Sequence, residues 1–85
     1  MNDKIRFLRK DVGTIDKELL NLLEKRFEIT QKIGKDKKEK GFPIEDISKE
    51  KEIIDGKIKD THLNSKFIEE LFKTIFRESK RRQED

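Results

Sequence analysis

The sequence contains no cysteine, one histidine, one proline and four glycines in 85 residues. Without cysteine there is no disulfide framework, no thiolate nucleophile and no zinc–thiolate site, and the absence suits a reducing compartment. Hydrophobic residues are equally scarce: they make up 31% of the chain, against 48% charged, a balance that by composition alone permits disorder. No apolar run reaches the length of a membrane span, and the charged start MNDKIRFLRK does not read as a signal peptide. A cytoplasmic chain with no membrane partner is expected. Its length allows one domain at most, residues 1–85, with a small core.

What is abundant is charge of both signs. Twenty-two basic and 19 acidic residues are interleaved and leave a net charge of +3. A nucleic-acid binder concentrates its cations in a patch. The densest basic run, KRR at 80–82, is followed at once by QED and reads as a solvated helix end, with cations near the negative pole of the dipole. No nucleic-acid partner is expected. His62 falls in a loop between helical segments and reads as a surface residue, not as a base or ligand.

Periodicity decides for order. From about Asn2 to Lys40 the apolar positions are Ile5, Leu8, Val12, Ile15, Leu19 and Leu22, then Arg26, then Ile29 and Ile33. The steps alternate between three and four, the heptad pattern of a helix that pairs with another helix. Leu20, Leu23 and Phe27 widen the stripe enough to pack a further helix. Gly13 and Gly34 weaken the helix locally, by roughly 1 kcal/mol each relative to alanine. The run GFP at 41–43 ends it. A second helix is expected from Glu45 or Asp46 to Lys59, with Asp46 as a candidate N-cap. A short turn over 60–65 precedes a third, from Ser65 to Gln83. A first helix of this length extends about 58 Å, whereas a compact globule of this size has a radius of gyration of about 12 Å. Two shorter helices cannot cover such a rod. The predicted fold is all-α, three helices per chain, with the long seams paired in an intertwined six-helix homodimer.

Each helix places polar groups on the face that should be dry. Arg26 interrupts the seam of the first. Glu50 stands on the Ile47–Ile54–Ile58 stripe of the second. In the third, the stripe through Ile68, Phe72 and Ile75 continues into Ser79 and Gln83. Taken singly, an arginine on a seam fixes register or partner, and a serine or glutamine at the end of a stripe marks the edge of the core. Their occurrence on all three helices points instead to an internal polar cavity, because unsatisfied buried polar groups are costly. Lys37, eleven residues beyond Arg26, returns to the same face after about three turns, roughly 16 Å along the axis. Arg9 lies about 26 Å from Arg26 in the other direction and is turned to another side. Only an antiparallel partner copy could bring an Arg9 to this cavity. Such an excess of cations calls for an anionic ligand, and arginine favours planar carboxylates or phosphates. No P-loop or dinucleotide fingerprint supports a nucleotide. A small dicarboxylate bearing a hydroxyl matches the inventory. With no activated nucleophile and no metal-ligand set, catalysis would have to hold a shape and stabilise developing charge.

The stretches LRKDVGTIDKELLNLLEKR (8–26), IGKDKKEKGFPIEDISKEKEI (33–53) and LFKTIFRESKRRQ (71–83) together resemble the all-helical, type II chorismate mutases over essentially the whole chain. The resemblance implies an intertwined dimer with Arg9 contributed by the partner chain. It implies a cofactor-free [3,3] rearrangement of chorismate to prephenate, on the route to phenylalanine and tyrosine. By match of position, Arg26 and the partner's Arg9 would clamp the two carboxylates. Lys37 and Gln83 would donate to the ether oxygen, and Glu50 would accept from the ring hydroxyl. Asp46, Lys49 and Ser79 would complete the lining.

Three departures stand out. Lys49 occupies a position where the family more often has arginine. Gly13 replaces a usual polar helix former, which would soften the rod. The short turn after the second helix would trim the rim of the pocket. The alternatives are isochorismate pyruvate lyase on the same scaffold, against which Glu50 and Ser79 speak; a mutase domain in complex with another shikimate-pathway enzyme; and, outside enzymes, a non-catalytic helical adaptor or a nucleic-acid-binding dimer, the last with a steep salt dependence.

Overall fold

The computed structural model describes residues 3–84, so the expected helix start at Asn2 lies outside the described residues. Among these residues the chain forms three α-helices: α1, Asp3–Lys40; α2, Ile47–Lys59; and α3, Ser65–Glu84. Helix α1 runs for 38 residues without a break through Gly13 and Gly34, so the softening expected at Gly13 does not interrupt it. At 1.5 Å per residue it is about 57 Å long. It sets the long dimension of a molecule measuring 60 × 26 × 16 Å, with a radius of gyration of 16.7 Å.

The ends of the helices follow local chemistry. Gly41, at φ 75°, takes the left-handed conformation that closes α1. Its amide donates to the Lys38 carbonyl at 3.2 Å, and that of Phe42 reaches back to the Lys37 carbonyl at 2.8 Å. Helix α2 starts at Ile47, after the expected Glu45 or Asp46, because Asp46 is extended and caps it. Its Oδ1 accepts from the Lys49 amide at 3.0 Å and the Ser48 hydroxyl at 2.9 Å. Asn64 opens α3 in the same way, its side-chain oxygen accepting from the Phe67 amide at 2.8 Å.

Helix α3 packs against both α1 and α2 and holds the chain together. The buried apolar residues are Phe27 of α1, Ile54 of α2, and Ile68, Ile75 and Phe76 of α3. All come from the C-terminal half of α1 or from the two shorter helices. Every residue from 3 to 22 is exposed within the chain. The seam residues Ile5, Leu8, Val12, Ile15, Leu19, Leu22, Ile29 and Ile33 retain 47–62% of their surface. A row of aliphatic side chains left half-wet is the feature that most needs an explanation.

Candidate functional site

Where the C-terminal half of α1, the 41–46 connection, α2 and the end of α3 converge, they enclose an open cleft of about 480 Å³. Arg26 and Lys37 of α1, Asp46 of the connection, Lys49 and Glu50 of α2, and Ser79 and Gln83 of α3 all line it. Thr30, Ile33, Ile44, Ile53 and Phe76 supply further wall. No residue of the 60–64 turn lines the cleft of its own chain. Arg9 lies on the exposed half of α1 and does not reach the cleft of its own chain.

Arg26 enters over two rings of α3. Its guanidinium carbon is 6.0 Å from the centroid of Phe72 and 5.6 Å from that of Phe76. The aromatic faces favour the cation, while burial pushes its pKa below the usual arginine value. Its Nη1 is buried without a hydrogen-bond partner, as are the Ser79 hydroxyl oxygen and Gln83 Oε1. Ser79 retains only 5% of its surface. Such groups are rare in a finished fold, since each costs about 1–3 kcal/mol unless something satisfies it. The three residues that carry them all line one cleft. Lys37 reaches it from the next turns of α1, with its Nζ donating to the Ile44 carbonyl at 3.2 Å. That bond ties the ammonium to the connection and fixes its place before any ligand arrives.

The remaining polar residues are already engaged. The carboxylate of Asp46 is held below the usual range, first by the Lys49 amide and then by the Ser48 hydroxyl, so its evident duty is the start of α2. The ammonium of Lys49 sits 3.5 Å from Glu52. Glu50 lies 3.0 Å from Lys80 Nζ, which is also 2.8 Å from Glu45. Hydrogen bonding to Glu45 and then Glu50 raises the Lys80 pKa above its ordinary value. Nothing in the sequence marks Lys80 apart from its place at the start of the KRR run. Its partners lie in a different helix and in the connection, so no helical period marks them. The rest of that run is paired locally. Arg81 makes paired bonds to Glu78 at 2.9 and 2.7 Å, and Arg82 Nε bonds the same carboxylate at 2.9 Å. Arg81 and then Arg82 push Glu78 down to about 2. The guanidinium of Arg82 also covers Phe27, 4.8 Å from the ring centroid. Cations spent in this way do not form a free basic stripe.

Among the described residues no cluster of three or more histidine, aspartate or glutamate side chains could hold a metal ion. No helix among them is long and apolar enough to cross a membrane.

Residues 8–84 match the family described as chorismate mutase type II. The chain belongs to this family. It is 33% identical over 75 residues to the bifunctional chorismate mutase/prephenate dehydratase of Escherichia coli strain K12, covering 85% of this chain and 19% of that protein. The proteins of the same name from Buchnera aphidicola subspecies Schizaphis graminum and Acyrthosiphon pisum are 35% and 33% identical over 81 residues, covering 92% of this chain and 21% of each. The chain thus spans about a fifth of the length of the curated relatives it matches. All the cleft residues named above fall inside the matched type II mutase segment.

Proposed function

We propose that this chain rearranges chorismate to prephenate, and that its sites are completed between two copies. The observation that carries the reading is that Arg26, Ser79 and Gln83, each with a buried polar atom left unsatisfied, line one cleft beside a tethered Lys37. A hydroxylated dicarboxylate supplies acceptors for Arg26 and Lys37 and a donor for Glu50. In the [3,3] shift, cleavage of the ether bond runs ahead of carbon–carbon bond formation, so the ether oxygen gains negative charge. Lys37 and Gln83 donate to that oxygen and bind the transition state more tightly than the substrate. Arg26 grips one carboxylate in bidentate fashion, while Glu50 accepts from the ring hydroxyl with Lys80 steadying it. Asp46 holds the start of α2, and Lys49 and Ser79 complete the lining. The chain's own groups take no covalent part: the enzyme selects a folded conformer and stabilises its charge.

The second carboxylate needs a second cation, for which we propose Arg9 of the partner subunit. Two α1 helices running antiparallel along their seams would bring each exposed N-terminal half over the other chain's cleft. Burying the half of each seam side chain that remains wet contributes roughly 1 kcal/mol per residue, repeated along eight positions of both chains. Purified protein should consume chorismate, followed by its absorbance, and yield prephenate identified as product. Failure to do so contradicts the reading, and consumption of isochorismate with release of pyruvate would favour the lyase on this scaffold.

A further inference from the structure

Gly34 is buried in the interior of α1, and its backbone is ordinary helix. Glycine is among the poorest helix formers, and no positive φ demands it there. The requirement comes from across the helix interface. A Cβ built at Gly34 would stand 2.6 Å from Gln83 Cγ, 2.8 Å from Gln83 Oε1 and 2.9 Å from Gln83 Cβ. Carbon atoms in contact lie at about 3.5–4.0 Å, so alanine here would need a displacement near 1 Å. Gly13 and Gly56, by contrast, have nothing within 4 Å of such a Cβ.

We propose that Gly34 is a positioning residue for the reaction: its bare backbone is the seat on which the Gln83 side chain rests, and it sets where the Gln83 amide stands in the cleft. The proposal rests on the mutase reading and deepens it. The contact involves Cβ and Cγ as well as the amide, so a turn about the last torsion does not relieve it. Either the whole side chain swings away or the last turns of α3 withdraw from α1. The amide oxygen is the polar atom nearest the seat, which leaves the nitrogen as the end able to donate to a ligand. Because α3 also carries Ser79 and the rings beneath Arg26, a retreat of its end would reach those groups too.

The test is a cycle of variants read in two ways. Gly34→Ala should lower kcat by about 10–100-fold, the range expected for an ångström-scale misplacement, with KM changed less. Gly56→Ala should leave both near wild type. Combined with Gln83→Gly, which also removes the Cβ that lies 2.9 Å from the built one, the Gly34→Ala change should cost little further activity, within about threefold of Gln83→Gly alone, since coupled sites are not additive. Melting temperature supplies the second reading. Gly34→Ala should lower it, against the usual effect of a helical glycine-to-alanine change, and in the Gln83→Gly background the same change should lower it little or not at all. If Gly34→Ala alone does not fold, a folded double variant still identifies Gln83 as the group it meets. Unchanged kcat in Gly34→Ala, or a loss of melting temperature as large in the Gln83→Gly background as in the wild type, overturns the proposal. Wild-type protein that leaves chorismate intact overturns the mutase reading instead, and the melting cycle still decides the contact.

Discussion

Lys37→Ala should lower kcat by about 10²–10³, equivalent to losing roughly 3–4 kcal/mol of transition-state stabilisation from one preorganised donor. KM should move by far less. The reason lies in when the ammonium is needed. A charge aimed at an oxygen that becomes more negative along the reaction contributes little in the ground state and most at the barrier. Lys37 is also in place beforehand, since its Nζ is bound to the Ile44 carbonyl at 3.2 Å and little reorganisation remains for the catalytic event. The same tether makes the position selective: Lys37→Gln keeps a donor but loses the charge and should recover only part of the rate. Steady-state kinetics on the two variants test this, and near-normal turnover by Lys37→Ala would remove the residue from its assigned role.

Arg26→Lys should be almost as damaging, although it preserves the charge. We expect kcat/KM to fall by about 10²-fold, the loss of roughly 2–3 kcal/mol that accompanies a broken charged hydrogen bond. A guanidinium offers a planar fork to a carboxylate, is weakly hydrated and lies well on aromatic faces, whereas an ammonium is a compact, strongly hydrated point charge. Arg26 uses all three properties. It rests over Phe72 and Phe76, is partly withdrawn from water, and holds Nη1 in a buried position without a partner. Lysine would bring a charge that is costlier to desolvate and could not fill both lone-pair directions of a carboxylate. Far-UV circular dichroism should show the helices intact, and unchanged kcat/KM would count against the clamp.

How far the sequence announces this arrangement differs from residue to residue. The length of α1 is legible because three-and-four spacing of apolar residues has one structural meaning over so many turns. Arg26, Ser79 and Gln83 are legible as interruptions of such stripes, and Lys37 because eleven residues return a helix nearly to the same face. Each of these signals lives within one helix. What crosses between elements is not written in any period. Lys80 reads as one cation of a basic run, yet its partners Glu45 and Glu50 come from the connection and α2. Gly34 reads as a weak point of α1, whereas its bare backbone lies against the Gln83 side chain. Phe72 reads as core and, together with Phe76, is also the floor beneath a guanidinium. Asp46 reads both as the start of a helix and as lining of the cleft, and its hydrogen bonds show how much of the carboxylate the first duty takes.

The central claim is that a cleft in one chain becomes a catalytic site only when another chain supplies Arg9. Subunit mixing tests it most directly. Arg9→Ala and Arg26→Ala should each be nearly inactive when purified alone. In a heterodimer of the two, one site draws Arg26 from the first variant and Arg9 from the second, so it is intact, while the other site lacks both. Refolded together in equal amounts, half the dimers are mixed, and about one quarter of wild-type activity should return by the symmetry of a two-fold assembly. A mixture no more active than its separate components, from chains shown to exchange, would contradict a site shared between subunits.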